Sequence, residues 1–119
     1  MARLWIINGE PASKANSRRF IRPGLIIKSP KATAYVDVFR FQCKPRPEDC
    51  IPEGEVTLTA DIYYASQRPD LDESLIMDCI QHAGLLTNDR QIREKHIFHH
   101  IDKLHPRVEF TITRRNEND

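Results

Sequence analysis

The sequence predicts a single α+β domain, spanning residues 1–119, in which strands and helices are mixed. The strand evidence is clearest at residues 55–64, EVTLTADIYY, where apolar and polar residues alternate with the period of a half-buried strand. The helix evidence is clearest at residues 71–83, where apolar residues recur three and four positions apart. With 119 residues, 39% of them hydrophobic and 29% charged, the chain is long enough to bury one core as an ordinary globular protein.

The first half of the chain predicts a strand, a hairpin and a helix. Residues 3–7, RLWII, are a short apolar run typical of a buried strand, in which Trp5 is a core residue. Residues 18–28, RRFIRPGLIIK, resemble a hairpin closed by Pro and Gly. Ser29-Pro30 then begins a helix over residues 30–43, because Ser is a favoured N-cap and Pro is tolerated at the first helical position.

The second half adds a connector and two strands. Residues 44–54 hold three prolines and a glycine and join the two halves within one domain. Residues 91–101 and 107–114 have strand patterns, and we expect them to form a closing hairpin across residues 102–106.

The composition restricts the setting of the protein. No apolar run approaches the ~20 residues that span a bilayer, and no signal peptide is evident at the N-terminus. Cys43, Cys50 and Cys79 form an odd set without a C-x-x-C pair, which is typical of reduced thiols. We therefore expect a cytoplasmic protein without a membrane partner.

Charge is divided unevenly along the chain. Residues 1–47 hold ten Lys and Arg and two acids, a balance of +8, whereas residues 48–119 hold eight Lys and Arg and fifteen acids, a balance of −7. Such a division is typical of a protein that attracts a polyanion with one portion and holds a cation with another. Chance segregation, with the fold mixing the two halves in space, is the alternative.

Three aspartates surround the helix over residues 71–83. Pro69 precedes Asp70, which is the natural N-cap, and Glu73 three residues later completes a D-x-x-E capping box. Asp72 lies on the apolar stripe of this helix, so its carboxylate must be paired, hydrogen-bonded or bound to a cation. Asp89 follows the helix, after a return to the core, either as part of a turn or as a third carboxylate beside the first two.

Carboxylates converging on one point would form a site for a hard divalent ion. Mg²⁺ takes oxygen ligands, usually one or two carboxylates with waters and substrate phosphate. A bound Mg²⁺ favours phosphodiester hydrolysis, because it generates hydroxide and shields the phosphate charge. A D-x-D pair alone is weak evidence, because such pairs are common in turns.

Four segments together resemble the RusA family of Holliday-junction resolvases, which phages and prophages encode. They are RPDLDE, LIMDCIQHAG, TNDRQI and PRVEFTI, and PASKANSR near the N-terminus resembles the N-terminal loop of the family. The likeness covers most of the chain. The resemblance implies an α+β fold with a mixed sheet and helices, an intertwined homodimer, and Mg²⁺-dependent nicking of four-way DNA junctions in recombination and repair.

The resemblance also implies roles for individual residues. Asp70, Asp72 and Asp89 match the metal-binding and catalytic carboxylates of the family. The family has Asn where this chain has Glu73 and a lysine where it has Ile76, and its helical segment is about half a turn longer. The lost positive charge could come from a downstream basic residue, and the candidates are Arg90, Arg93 and Lys95.

The N-terminal arm is the predicted DNA contact. It carries four basic residues that would contact phosphates, which position DNA without reading its sequence: Lys14, Arg18, Arg19 and Arg22. Phe20 among them either stacks on a base or belongs to the core.

The histidines and the activity leave alternatives open. The spacing H-x-x-H-H of His96, His99 and His100 is not a common zinc spacing, so we expect these residues to face solvent or DNA. The first hypothesis for function is a junction-resolving endonuclease that leaves a 3′-hydroxyl and a 5′-phosphate. The alternatives are a non-catalytic junction-binding protein, in which the acids only cap and turn, and a metal nuclease acting on other branched DNA.

Overall fold

A four-stranded mixed sheet and two helices form the body of the protein. A computed structural model describes residues 2–12, 18–22 and 25–115, with the backbone alone described for residues 18–22 and 25–28. The sheet contains β1 (Trp5–Asn8), β4 (Val56–Tyr64), β5 (Ile92–Ile101) and β6 (Arg107–Arg114), in the order β1-β6-β4-β5. The helices are α1 (Pro30–Gln42) and α2 (Ser74–His82). The predicted α+β class is confirmed.

Strand β4 carries the predicted alternation through the centre of the sheet. Its inward residues are fully buried, and they are Val56, Leu58, Ala60, Ile62 and Tyr64. The residues between them are only partly buried on the outer face. Strand β1 alternates in the same way, with Trp5 and Ile7 buried and Ile6 half exposed. One face of the sheet therefore builds the core, and the other face is open.

The two C-terminal strands exist as predicted, but they do not form a hairpin. Strand β4 lies between them, pairing in parallel with β5 and antiparallel with β6. The short link of residues 102–106 therefore crosses over the end of β4, where the Asp102 N–H donates to the Tyr64 carbonyl at 2.8 Å. The hairpin prediction was wrong because closeness in sequence does not reveal that an earlier strand of the chain, β4, lies between β5 and β6.

Helix α1 begins where the sequence predicts. Ser29 is the N-cap, with its hydroxyl accepting from the Ala32 N–H at 3.2 Å, and Pro30 occupies the first turn. Its inward side chains include Phe39, whose ring lies 5.8 Å from that of Phe110 in β6. This contact helps to hold α1 in the same core cluster as the inner face of the sheet.

Helix α2 begins later than predicted. It begins at Ser74, with Glu73 in the cap position but making no side-chain capping bond, so Asp70 is not the N-cap and the D-x-x-E capping box does not form. Leu71, predicted to lie on the apolar stripe, is 41% exposed because it precedes the helix. Of the rest of the predicted stripe, Ala83 is partly buried, and the residues buried as predicted are Leu75, Ile76, Cys79 and Ile80.

The connections are short and mostly polar. The hairpin predicted around residues 18–28 forms from β2 (Arg18–Arg22) and β3 (Leu25–Lys28), which pair antiparallel. Its Pro-Gly turn lies outside the described residues. The connector between the two halves contains one short 3-10 helix, Pro47–Asp49, and a second 3-10 helix, Asp89–Gln91, leads into β5. No helix in the described part of the chain is long and apolar enough to cross a membrane.

Candidate cation site at the start of helix α2

The segment that precedes α2, residues 70–73, is fixed to the end of β4 by a buried tyrosine. We call these four residues the entrance segment. Tyr64 is fully buried, and its hydroxyl donates to the Asp70 carbonyl at 3.2 Å and accepts from the Asp72 N–H at 3.3 Å. Strand β4 therefore determines where the backbone of both aspartates lies.

Asp72 has one satisfied and one unsatisfied carboxylate oxygen. Its Oδ1 accepts from the Ser74 N–H at 3.0 Å and from the Ser74 hydroxyl at 2.8 Å, which satisfies a donor at the first turn of α2. Its Oδ2 is buried and has no hydrogen-bond partner among the described residues. A buried carboxylate oxygen without a partner is costly, so this atom has the property expected of a cation ligand.

Negative charge accumulates around the Tyr64 hydroxyl. Burial raises the pKa of Tyr64, and the carboxylates of Asp72, Glu10 and Glu73 act in the same direction. Glu10, which follows β1, is held in place by the Ala65 N–H, which donates to its Oε1 at 2.8 Å. Sequence analysis missed Glu10 because no local pattern shows that an acid after the first strand lies near a helix in the second half of the chain.

Glu73 has a partner different from the predicted one. Its Oε1 accepts from the Lys95 Nζ at 2.9 Å, so the side chain forms a salt bridge to β5 in place of a capping bond. Of the three basic residues considered as sources of positive charge, Lys95 is the one shown beside the entrance segment, whereas Arg93 lies 4.0 Å from Glu55.

Asp89 lies at the other end of α2. Its N–H donates to the Gln81 Oε1 at 3.0 Å, in the last turn of the helix, while Asp72 bonds the first residue of the helix. Nine residues of α-helix span about 13 Å, so α2 separates Asp89 from Asp70 and Asp72. The structure brings the first two aspartates into one segment and does not bring the third to them.

Within residues 2–12, 18–22 and 25–115, no group of three or more His, Cys, Asp or Glu is arranged to hold a metal ion. The residues that could hold a metal ion are therefore a smaller set of carboxylates. Asp70 and Asp72, with the orphaned Oδ2 of Asp72, supply the one or two carboxylates that Mg²⁺ ordinarily takes from a protein. The residues of the entrance segment fit such an ion.

The histidines of β5 face opposite sides of the sheet. His96 and His100 share the outer face with Phe98, as predicted, and each contacts a carboxylate at 2.7 Å, Glu94 and Asp61 respectively. The His96 contact lowers the pKa of Glu94. His99 faces the opposite side, with its ring centroid 4.8 Å from that of Tyr64. One histidine of this strand therefore packs against Tyr64, whose hydroxyl bonds the backbone of the entrance segment.

The predicted DNA-contacting residues are only partly visible. Arg18, Arg19 and Arg22 lie in β2, where the backbone alone is described, and Lys14 lies outside the described residues. In β2 the register pairs Arg18 with Lys28 and Arg19 with Ile27. Strand β2 therefore contains three of the four predicted basic residues, and their side-chain contacts stay a prediction.

No protein-family model matches the chain, and no curated protein matches it significantly. The fold and the site together define a small α+β domain with an acidic segment anchored by a buried tyrosine. These residues, and the resemblance of the sequence to a known family, support the function proposed for the protein.

Proposed function

We propose that this protein is a Mg²⁺-dependent endonuclease that resolves four-way DNA junctions in recombination and repair. The observation that carries the proposal is the buried Oδ2 of Asp72, which has no partner among the described residues, in a segment that also contains Asp70. The substrate class comes from the resemblance of RPDLDE and the segments that follow it to the RusA family.

Asp70 and Asp72 are the residues that would hold the ion. When bound, Mg²⁺ supplies an activated water and neutralises charge on the scissile phosphate. The chain itself contributes the Tyr64 hydroxyl, which fixes the backbone of both aspartates, and the Ser74 hydroxyl, which orients the Asp72 carboxylate. Asp89 is part of the proposal through the resemblance alone.

The remaining parts of the proposal concern DNA and the second subunit. Lys14, Arg18, Arg19 and Arg22 would neutralise phosphates, so junction affinity falls steeply as salt rises. A four-way junction has approximate twofold symmetry, so a homodimer can present one site to each of two strands. These two statements rest on the sequence.

A non-catalytic junction-binding protein is the second candidate function. It is favoured by a specific observation, that the Asp72 carboxylate accepts from the Ser74 N–H and hydroxyl and so orders the first turn of α2. In this case Asp72 orders the start of α2 and nothing more. A nuclease acting on flaps or other branched DNA is a variant of the first proposal.

Cleavage of a synthetic four-way junction separates these functions. We expect the wild type to cut the junction with Mg²⁺, and Asp72→Asn to bind it with unchanged affinity while cutting at least about 100-fold more slowly, the typical cost of losing a preorganised electrostatic contact. Asp37→Asn, an exposed acid of α1, is the matched control and cuts normally.

Each other outcome has a defined meaning. Tight junction binding by the wild type without cleavage in either Mg²⁺ or Mn²⁺ establishes the binding protein. Faster cleavage of flaps than of junctions establishes the variant substrate. Asp89→Asn reports whether the third carboxylate participates, because normal cleavage by that variant limits the site to the entrance segment.

A further inference from the structure

We propose that His99 is the proton donor to the leaving oxygen in the cleavage reaction. This inference rests on the proposed function and assigns a residue that the resemblance does not. The geometry that points to it is the position of one exposed imidazole against the tyrosine that anchors the entrance segment.

His99 is on the correct face of the sheet for this role. It lies opposite Ile62 in the β4–β5 register, on the helix-covered face, and Lys95 occupies the same face four residues earlier. Its ring is tilted by 31° against that of Tyr64, with the centroids 4.8 Å apart, and the Tyr64 hydroxyl bonds the backbone of Asp70 and Asp72. The imidazole is exposed, so a DNA backbone can reach it.

The ring nitrogens of His99 are available for proton transfer. Within the described residues, they form no hydrogen bond, and the contact with Tyr64 is a contact between ring faces. The other two histidines of the strand are committed, His96 to Glu94 and His100 to Asp61. Imidazole is also the side chain that most readily holds and releases a proton near neutral pH.

Two other donors described beside the entrance segment are already used. The Tyr64 hydroxyl is buried and donates to a carbonyl, and burial raises its pKa. The Lys95 ammonium is paired with Glu73. The carboxylates of Glu10 and Asp72, which act on the tyrosine, accept protons or hydrogen bonds when ionised. Among these described groups, His99 is the exposed donor without a competing partner.

In the proposed step, water displaces the leaving sugar oxygen from phosphorus. The oxygen of water forms a bond to phosphorus, and the bond between phosphorus and the O3′ of the neighbouring sugar breaks. The imidazolium of His99 gives its proton to the departing O3′, which leaves as a 3′-hydroxyl, and the 5′-phosphate stays on the other fragment. The proton of the attacking water passes to solvent, and His99 regains a proton from solvent.

The test changes the leaving atom. In a junction with sulfur in place of the bridging 3′-oxygen, the leaving group is a thiolate, a much weaker base that departs without protonation. We expect His99→Gln to cut the oxygen-bridged junction about 100-fold more slowly than the wild type, the lower range for general-acid catalysis, and to cut the sulfur-bridged junction at the wild-type rate. His96→Gln, on the opposite face of the same strand, is the matched control and behaves as the wild type on both substrates.

The possible failures are distinguishable. If the wild type cuts neither junction in Mg²⁺ or Mn²⁺, the proposed function is overturned, and the role of His99 with it. If the wild type cuts and His99→Gln cuts both junctions normally, or is slowed equally on both, His99 is not the proton donor while the nuclease proposal stands. Junction affinity and thermal unfolding of His99→Gln, measured alongside, are expected to match the wild type because the residue is exposed.

Discussion

The two ends of helix α2 are built in opposite ways. At its end, the exit segment (residues 83–91) satisfies its polar groups and returns to the core. Gly84 turns the chain with φ of +87°, and Leu85 and Leu86 are each 2% exposed. Gln91 accepts from the Thr87 and Asn88 N–H groups and donates to the carbonyls of Ile51 and Gly54, and these four bonds fix the turn.

At its start, the same helix is held by bonds from Tyr64 and Ser74, but not every polar group is satisfied. The residue in the cap position, Glu73, makes no capping bond, and Asp72 keeps a buried oxygen without a described partner. Functional sites often retain groups that cost stability, whereas purely structural turns do not. The difference supports the proposal that the exit segment holds the fold together whereas the entrance segment binds a cation.

The largest predicted effect on stability belongs to the exit segment. Leu86→Ala removes a buried side chain from the core cluster, and we expect a loss of about 3 kcal/mol in the free energy of unfolding. Urea denaturation measures it. Leu104→Ala, at an 83% exposed position, is the control and changes the free energy by less than about 0.5 kcal/mol. Equal effects at both positions would contradict the role of the exit segment in the core.

A smaller effect is expected from a nearly isosteric change at the polar centre of the exit segment. Gln91→Glu keeps the two accepted bonds but replaces the donor to the Ile51 and Gly54 carbonyls with a carboxylate oxygen. Placing these carbonyls against a carboxylate lowers the free energy of unfolding by about 2 kcal/mol. Thermal or urea unfolding measures the change. Gln67→Glu, on an exposed loop, tests whether an added charge alone lowers stability. A neutral result for Gln91→Glu would show that the 3-10 helix is held by other contacts.

The smallest effect on stability is expected at the entrance segment. Asp72→Asn keeps an oxygen to accept from Ser74 and removes a charge that is partly buried, so the free energy of unfolding stays the same or rises by up to about 1 kcal/mol. Urea unfolding without divalent ions measures it. A loss comparable to that of Leu86→Ala would mean that Asp72 is a structural residue, and the comparison between the two ends of α2 would fail.

Local patterns in the sequence determined much of this protein. The alternation of β4, the capping of α1 by Ser29 and the return of Leu85 and Leu86 to the core were all predicted and are all present. They were predictable because burial, capping and turn formation depend on residues within one or two turns of the chain. The start of α2 was not, because the hydroxyl of Tyr64, from β4, bonds the backbone of Asp70 and Asp72 ahead of the helix.

Tertiary structure alone decided which strands pair and which side chains meet. Strand β4 separates β5 from β6. That arrangement places His99 against Tyr64 and Lys95 against Glu73. Asp89 bonds the other end of α2. Glu10 joins them from the end of β1. The physical reason is that pairing stabilises an alternating strand almost equally beside any neighbouring strand whose buried face matches its own. The choice of neighbour depends on the packing of the whole core, which no single segment of the sequence contains.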